Sequence, residues 1–208
     1  ALSLTGTIPL LLQSCAGAKT PPGAKVAGLT PLTPSDEDNF RLAEGFTHKI
    51  VSAFGDPLTD QGLKFGYNND FLAFFPLEAK GEGLLCVNHE APHCLFVSGY
   101  TDITKSKTKA QVEQEMDATG VSIVHVKESG NGQWSVVMNS PYNRAVNGRT
   151  TIPFAGGIEV AGSKDALGTL GNCAGGVTPW GTYLTCEENF QMFYGEAQFT
   201  KKGKSVRV

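Results

Sequence analysis

The strongest local constraint in this chain is a hairpin signature. Residues 121–127 and 133–139 carry β-branched side chains and flank Glu128-Ser129-Gly130-Asn131-Gly132. Two such arms around a glycine-rich turn are best satisfied as an antiparallel pair. Residues 83–87 form a short apolar run that fits a buried strand. Residues 63–77 hold Phe65, Tyr67, Phe71, Phe74 and Phe75, broken by Gly66 and Asn68-Asn69-Asp70, and read as two strands around a turn. One helix is predicted. Thr108 and Gln111 make a capping-box-like start, Val112 and Met116 share a face, and Gly120 can end it. Lys107, Lys109, Glu113, Glu115 and Asp117 leave its remaining surface polar, which suits a surface insertion between strands. The fold class is therefore all-β with one short helical insertion, as a sandwich, a barrel or propeller blades.

Composition agrees and narrows the function classes. Glycine contributes 25 of 208 residues and charged residues only 18%, against about 25% charged in an average soluble domain. That balance favours turns and sheets over helical bundles. A net charge of −3 with no long basic run excludes an electrostatic nucleic-acid binder. Hydrophobic content of 40% suffices for a packed core.

Residues 1–12 are apolar but too few for a membrane-spanning helix of about 20 residues. They suit the middle of a secretory signal, with a buried terminal strand or helix as the alternative. Leu12-Gln13-Ser14-Cys15 is similar to a lipobox, in which Cys15 would carry a membrane lipid anchor. The basic region that normally precedes such a run is missing, so the expectation is a signal truncated at its start. The expected organisation is a partial signal at 1–15, a linker at 16–39 with Ser35 and Asp38 framing a short turn, and a folded domain over 40–208.

Two polar clusters carry the chemistry. Of the five cysteines, Cys86, Cys94, Cys173 and Cys186 lie in the expected domain. In an oxidising compartment they allow three pairings. Cys173, however, sits in Gly171-Asn172-Cys173-Ala174-Gly175-Gly176, where the glycines permit close backbone approach, and Glu187-Glu188 follow Cys186 directly. A thiolate beside carboxylates is a mixed soft and hard ligand set for a transition metal next to an oxygen-bound cation. The second cluster is Val87-Asn88-His89-Glu90, at the mouth of the predicted buried strand. Strand alternation forbids His89 and Glu90 from facing one site together, and the same holds for Glu187 and Glu188, unless the strand ends.

The run from Gly171 through Cys173, Pro179, Trp180 and Cys186 to Glu187-Glu188-Asn189 closely resembles the hallmark segment of the PhoX family of secreted bacterial alkaline phosphatases. Val87-Asn88-His89-Glu90 and Tyr142-Asn143-Arg144, followed by Gly148 and Pro153, resemble further family segments. The resemblance implies a six-bladed β-propeller with ferric iron and calcium at its central channel. It implies Cys173, Glu188, Glu187 and Glu90 as metal ligands, and Asn143 and Arg144 as catalytic groups near the phosphate. Cys86, Cys94 and Cys186 would then be one bridged pair plus a thiol, or three buried thiols, with Cys186 in the core. The implied reaction is hydrolysis of extracellular phosphate monoesters, using an oxygen bound to the iron and calcium cluster as nucleophile. Small phosphorylated molecules would be the substrates of a monomeric enzyme exported through a twin-arginine signal to the periplasm or beyond, with a membrane lipid anchor at Cys15 where the lipobox is used. Blades take about 40–50 residues, so residues 40–208 are expected to supply at most three or four blades of a longer ring. A non-catalytic propeller scaffold and a calcium-dependent propeller esterase or lactonase, with Glu90 as ligand, are the competing readings.

Overall fold

The computed structural model describes residues 30–102, 104–189, 198–201 and 204–207. The predicted signal and Cys15 lie outside the described residues. The chain divides into two compact units, Ala1–Lys49 and Ile50–Val208. In the first, residues 30–49 carry bends and one turn but no helix or strand, and Ser35 Oγ accepts from Glu37 N at 3.2 Å rather than from Asp38.

The second unit is built on one antiparallel sheet. Its strands are β1 (Asn69–Pro76), β2 (Glu82–His89), β3 (Gly120–Glu128), β4 (Trp134–Val136) and β5 (Arg144–Val146). The order is β1-β2-β3-β4, and β5 pairs with the other end of β3. Two helices, α1 (Cys94–Val97) and α2 (Lys109–Asp117), occupy the β2–β3 connection. Three strand pairs follow: β6 (Thr151–Pro153) with β7 (Asp165–Leu167), β8 (Asn172–Val177) with β9 (Tyr183–Glu187), and β10 (Gln198–Lys201) with β11 (Lys204–Arg207). The architecture is mostly sheet, and none of the described sheets closes on itself. No described helix is long and apolar enough to cross a membrane.

Alternation along β2 and β3 divides the core between two faces. Val87, Val124 and Val126 pack with Leu58 and Phe65 on one side, while Cys86, Val121 and Ile123 pack with Phe75, Leu84 and Tyr183 on the other. Each such large apolar side chain contributes roughly 1.5–3 kcal/mol on full burial. Both faces of β3 are covered, which explains why its run Gly120–Val126 is buried without interruption.

The glycine-turn hairpin forms as β3 and β4, and the apolar run of residues 83–87 lies inside β2. Helix α2 starts at Thr108 with both halves of a capping box in place. Two local expectations need correction. Residues 63–67 form no strand of their own. They fold back on the preceding loop through Leu58 N to Leu63 O at 2.8 Å, Phe65 N to Asp56 O at 2.9 Å and a single bridge between Pro57 and Lys64. Buried Phe65 anchors that turn in the core, which satisfies the aromatic residue without a strand. Glu115 is buried rather than on a polar surface, because Ser98 donates to it at 2.6 Å and Lys107 pairs with it. The short helix α1, which brings Ser98 there, had no periodicity to announce it.

Gly120 starts β3 at φ +95°, and a Cβ at this position would lie 2.2 Å from the Val146 carbonyl oxygen on β5. Strain and clash act together here. Gly120→Ala is expected to lower the unfolding free energy by about 3 kcal/mol or more, measured by urea denaturation.

Candidate metal centre

Two strand irregularities aim side chains at one point. The β1–β2 register shifts between Asn69 and Leu72, and the β8–β9 register shifts between Asn172 and Gly175. Asp70 lies in the first and Cys173 in the second, and bulges re-aim side chains out of the regular pleat. Glu90 follows the last residue of β2. Its amide donates to the Asn68 carbonyl at 3.0 Å, and its own carbonyl accepts from Gly171 N at 3.1 Å. One ligand atom each from Asp70, Glu90 and Cys173 lies within 4.8 Å of the others. The Cys173 thiol donates to Asp70 Oδ2 at 3.0 Å, and Asn68 Nδ2 donates to Glu90 Oε2 at 3.3 Å.

Buried amides hold this arrangement. Asn88 is fully buried. Its Nδ2 donates to the carbonyls of Cys173 at 2.8 Å and Ala174 at 3.1 Å, while its Oδ1 accepts from the hydroxyls of Tyr183 at 2.8 Å and Thr185 at 2.9 Å. Asn172, equally buried, donates to the hydroxyls of Thr169 and Thr185, both at 3.0 Å. Gly171 adopts φ +69°, and an added Cβ would fall 2.2 Å from the Glu188 carbonyl oxygen. Only glycine permits that approach, and Glu188 N accordingly donates to the Gly171 carbonyl at 2.7 Å.

The charge balance is informative. The hydrogen bond to Asp70, then that to Glu188, with the repulsion between a thiolate and these carboxylates, pushes the Cys173 thiol up to about 12. In this anionic setting sulfur keeps its proton; a bound cation reverses the preference and deprotonates a coordinating thiol outright. One soft sulfur among hard carboxylate oxygens fits a transition metal with a neighbouring oxygen-bound cation.

Among the residues singled out in the sequence, Glu90 and Cys173 meet, and Glu188 acts on the Cys173 thiol. Glu187 turns elsewhere: its Oε1 accepts from Leu170 N at 3.0 Å and the Thr169 hydroxyl at 2.8 Å. His89 and Glu90 do diverge as alternation requires. His89 enters the core against Phe65 and meets Ser122 Oγ at 2.8 Å, and burial pushes its imidazole down to about 4. Asn143 is a buried brace that accepts from His125 N at 2.8 Å and donates to the Leu58 and Val137 carbonyls, each at 2.9 Å. Arg144 is exposed and donates to the Tyr142 carbonyl at 3.1 Å. No described hydrogen bond or ion pair links Asn143 or Arg144 to the cluster. Asp70 escaped sequence reasoning because it closes an Asn-Asn-Asp turn, where an acidic residue is unremarkable. Cys86, Cys94, Cys173 and Cys186 are all free thiols. Cys186 is exposed on β9 and not in the core, because Tyr183, on the same short strand, supplies the side chain that packs against the Cys86 cluster.

Comparison with known proteins gives this geometry a family. The family model described as alkaline phosphatase PhoX matches residues 27–207, and the chain belongs to the PhoX alkaline phosphatase family. A solved structure of Pseudomonas fluorescens PhoX in complex with vanadate, a transition state analogue, aligns with a TM-score of 0.65 and 30% identity. The alignment covers 78% of this chain and 32% of that chain, so this chain spans about a third of its relative's length. The shared fold supports the propeller-like architecture. No curated protein matches the chain.

Asn88→Ala removes four part-buried hydrogen bonds, including both that hold the carbonyls of Cys173 and Ala174. It is expected to cost about 2–4 kcal/mol of stability in chemical denaturation, read against wild type in the same buffer.

Proposed function

We propose that this chain supplies part of the metal centre of an exported, monomeric alkaline phosphatase that releases inorganic phosphate from small phosphate monoesters. The observation that carries this reading is the convergence of Cys173 with Asp70 and Glu90 in a member of the PhoX family. The vanadate complex of the Pseudomonas fluorescens relative supports a small, phosphate-like substrate.

In this reading Cys173 offers sulfur to ferric iron, while Asp70, Glu90 and Glu188 offer carboxylate oxygens to iron and calcium. When bound, such a metal group supplies positive charge against the phosphoryl oxygens and acidifies a water molecule. The chain's own residues orient and hold. Asn88 fixes the Cys173 backbone, Gly171 lets Glu188 approach, and Asn68 keeps the Glu90 carboxylate turned toward Asp70. Glu187 braces the turn before β8 by accepting from Leu170 and Thr169. Arg144 is the cation retained as a phosphate contact, on the family resemblance. Export and lipidation at Cys15 belong to the same reading.

The full-length protein is expected to contain stoichiometric iron by elemental analysis and to hydrolyse a phosphate monoester at alkaline pH. Cys173→Ala should remove the iron and lower turnover by about 100-fold or more. Turnover retained without iron would overturn the assignment. A lactone cleaved in place of the phosphate ester would favour the calcium-dependent esterase reading.

A further inference from the structure

Asp70 and Cys173 meet although the strands that carry them share no ladder. Among the described residues, two hydrogen bonds join β1 to the β8–β9 pair. One is the bond from the Cys173 thiol to Asp70 itself. The other runs from the Tyr183 hydroxyl to the carbonyl of Phe71, the residue after Asp70, at 3.2 Å. A thiol that ligates a cation gives up its proton, and its bond to Asp70 goes with that proton. The Tyr183 bond is then the direct hydrogen bond left between β1 and β9.

The same hydroxyl reaches the second irregular strand. It donates to Asn88 Oδ1 at 2.8 Å, and Asn88 Nδ2 holds the Cys173 and Ala174 carbonyls. One phenolic proton thus serves two acceptors, in a three-centre bond that leans toward Asn88. Asn172 Nδ2 donates to Thr185 Oγ1, which leaves the Thr185 proton for Asn88 Oδ1. Two hydroxyls on Oδ1 fix the sense of the amide, so its nitrogen faces the Cys173 backbone.

The ring of Tyr183 is held separately from its hydroxyl. It stacks on Phe71 at 5.8 Å and meets Phe75 edge to face at 6.3 Å. Gly175 makes room for this stack, since a Cβ there would fall 2.3 Å from Phe71 Cδ1. Burial, with smaller contributions from Cys86 and Asp70, pushes the Tyr183 phenol up to about 12. The hydroxyl therefore keeps its proton, and remains a donor, at alkaline pH.

We propose that Tyr183 is a positioning residue of the candidate metal centre, whose hydroxyl sets the separation of Asp70 and Cys173 and hence the affinity for a cation. The proposal rests on the reading of Asp70, Glu90 and Cys173 as ligands. The ring supplies packing, and the hydroxyl supplies alignment.

The test uses the full-length protein freed of metal, with Co2+ alone as the probe and the thiolate-to-cobalt absorption band as the readout. Tyr183→Phe keeps both ring contacts and removes only the hydroxyl. It should bind Co2+ about tenfold more weakly than wild type and give a shifted band. Leu184→Ala, at an exposed neighbour on β9, should match wild type in both. Urea denaturation of the metal-free proteins separates alignment from packing. A Tyr183→Phe protein that is less stable, yet binds Co2+ with wild-type affinity and an unchanged band, would overturn the proposal. A wild type that binds Co2+ without a thiolate band would instead remove Cys173 as a ligand, and the role of Tyr183 with it.

Discussion

One buried amide joins the two sheets whose junction forms the candidate metal centre. Asn88 leaves the end of β2 and reaches the carbonyls of Cys173 and Ala174, in the bulged part of β8, while accepting from Tyr183 and Thr185 on β9. A bulge leaves backbone groups without ladder partners, and those groups are costly when buried. Asn88 satisfies two of them with a side chain that is itself fully paired. The same strand end then delivers Glu90, two residues on and on the same face, beside the sulfur. Rigidity of the candidate cluster therefore comes from the polar core beneath it and not from Asp70, Glu90 and Cys173 themselves.

The carboxylates of the candidate cluster repel a thiolate at Cys173. Asp70 and Glu188 hold the Cys173 thiol in its protonated form, so the cluster is electrostatically frustrated as a set of anions. Such frustration persists only where the surrounding structure over-determines it, and Asn88, Asn172 and Gly171 supply that determination here. A cation turns each of these repulsions into an attraction. That inversion is the physical link between the fold and the proposed chemistry.

Legibility followed the range of the forces involved. Helix α2 was readable because its capping box is a contact across three residues, and the β3–β4 hairpin because turn and arms are contiguous. The divergence of His89 and Glu90 was readable from pleat alone. Glu115 was misplaced because its partners, Ser98 and Lys107, lie outside the helix that carries it. The resemblance implies Asn143 as a phosphate contact, whereas its three partners come from the 58 loop, β3 and the segment after β4, which no spacing brings together on paper. Asp70 was invisible for the same reason: 103 residues separate it from Cys173, and only the β1–β8 packing joins them.

By itself the sequence determined an all-β chain, its central hairpin, its one capped helix and, through the segment around Cys173 and Glu188, its family. These are properties of local backbone preference and of contiguous motifs. Tertiary structure alone decided that Asp70 completes the cluster, that Glu187 braces a turn, and that the four described domain cysteines stay apart as thiols. Each of those facts depends on which strand ends and loops pack against one another. That choice is made by burial of Leu58, Phe65, Val87 and Val124 across long stretches of chain, and not by any one segment.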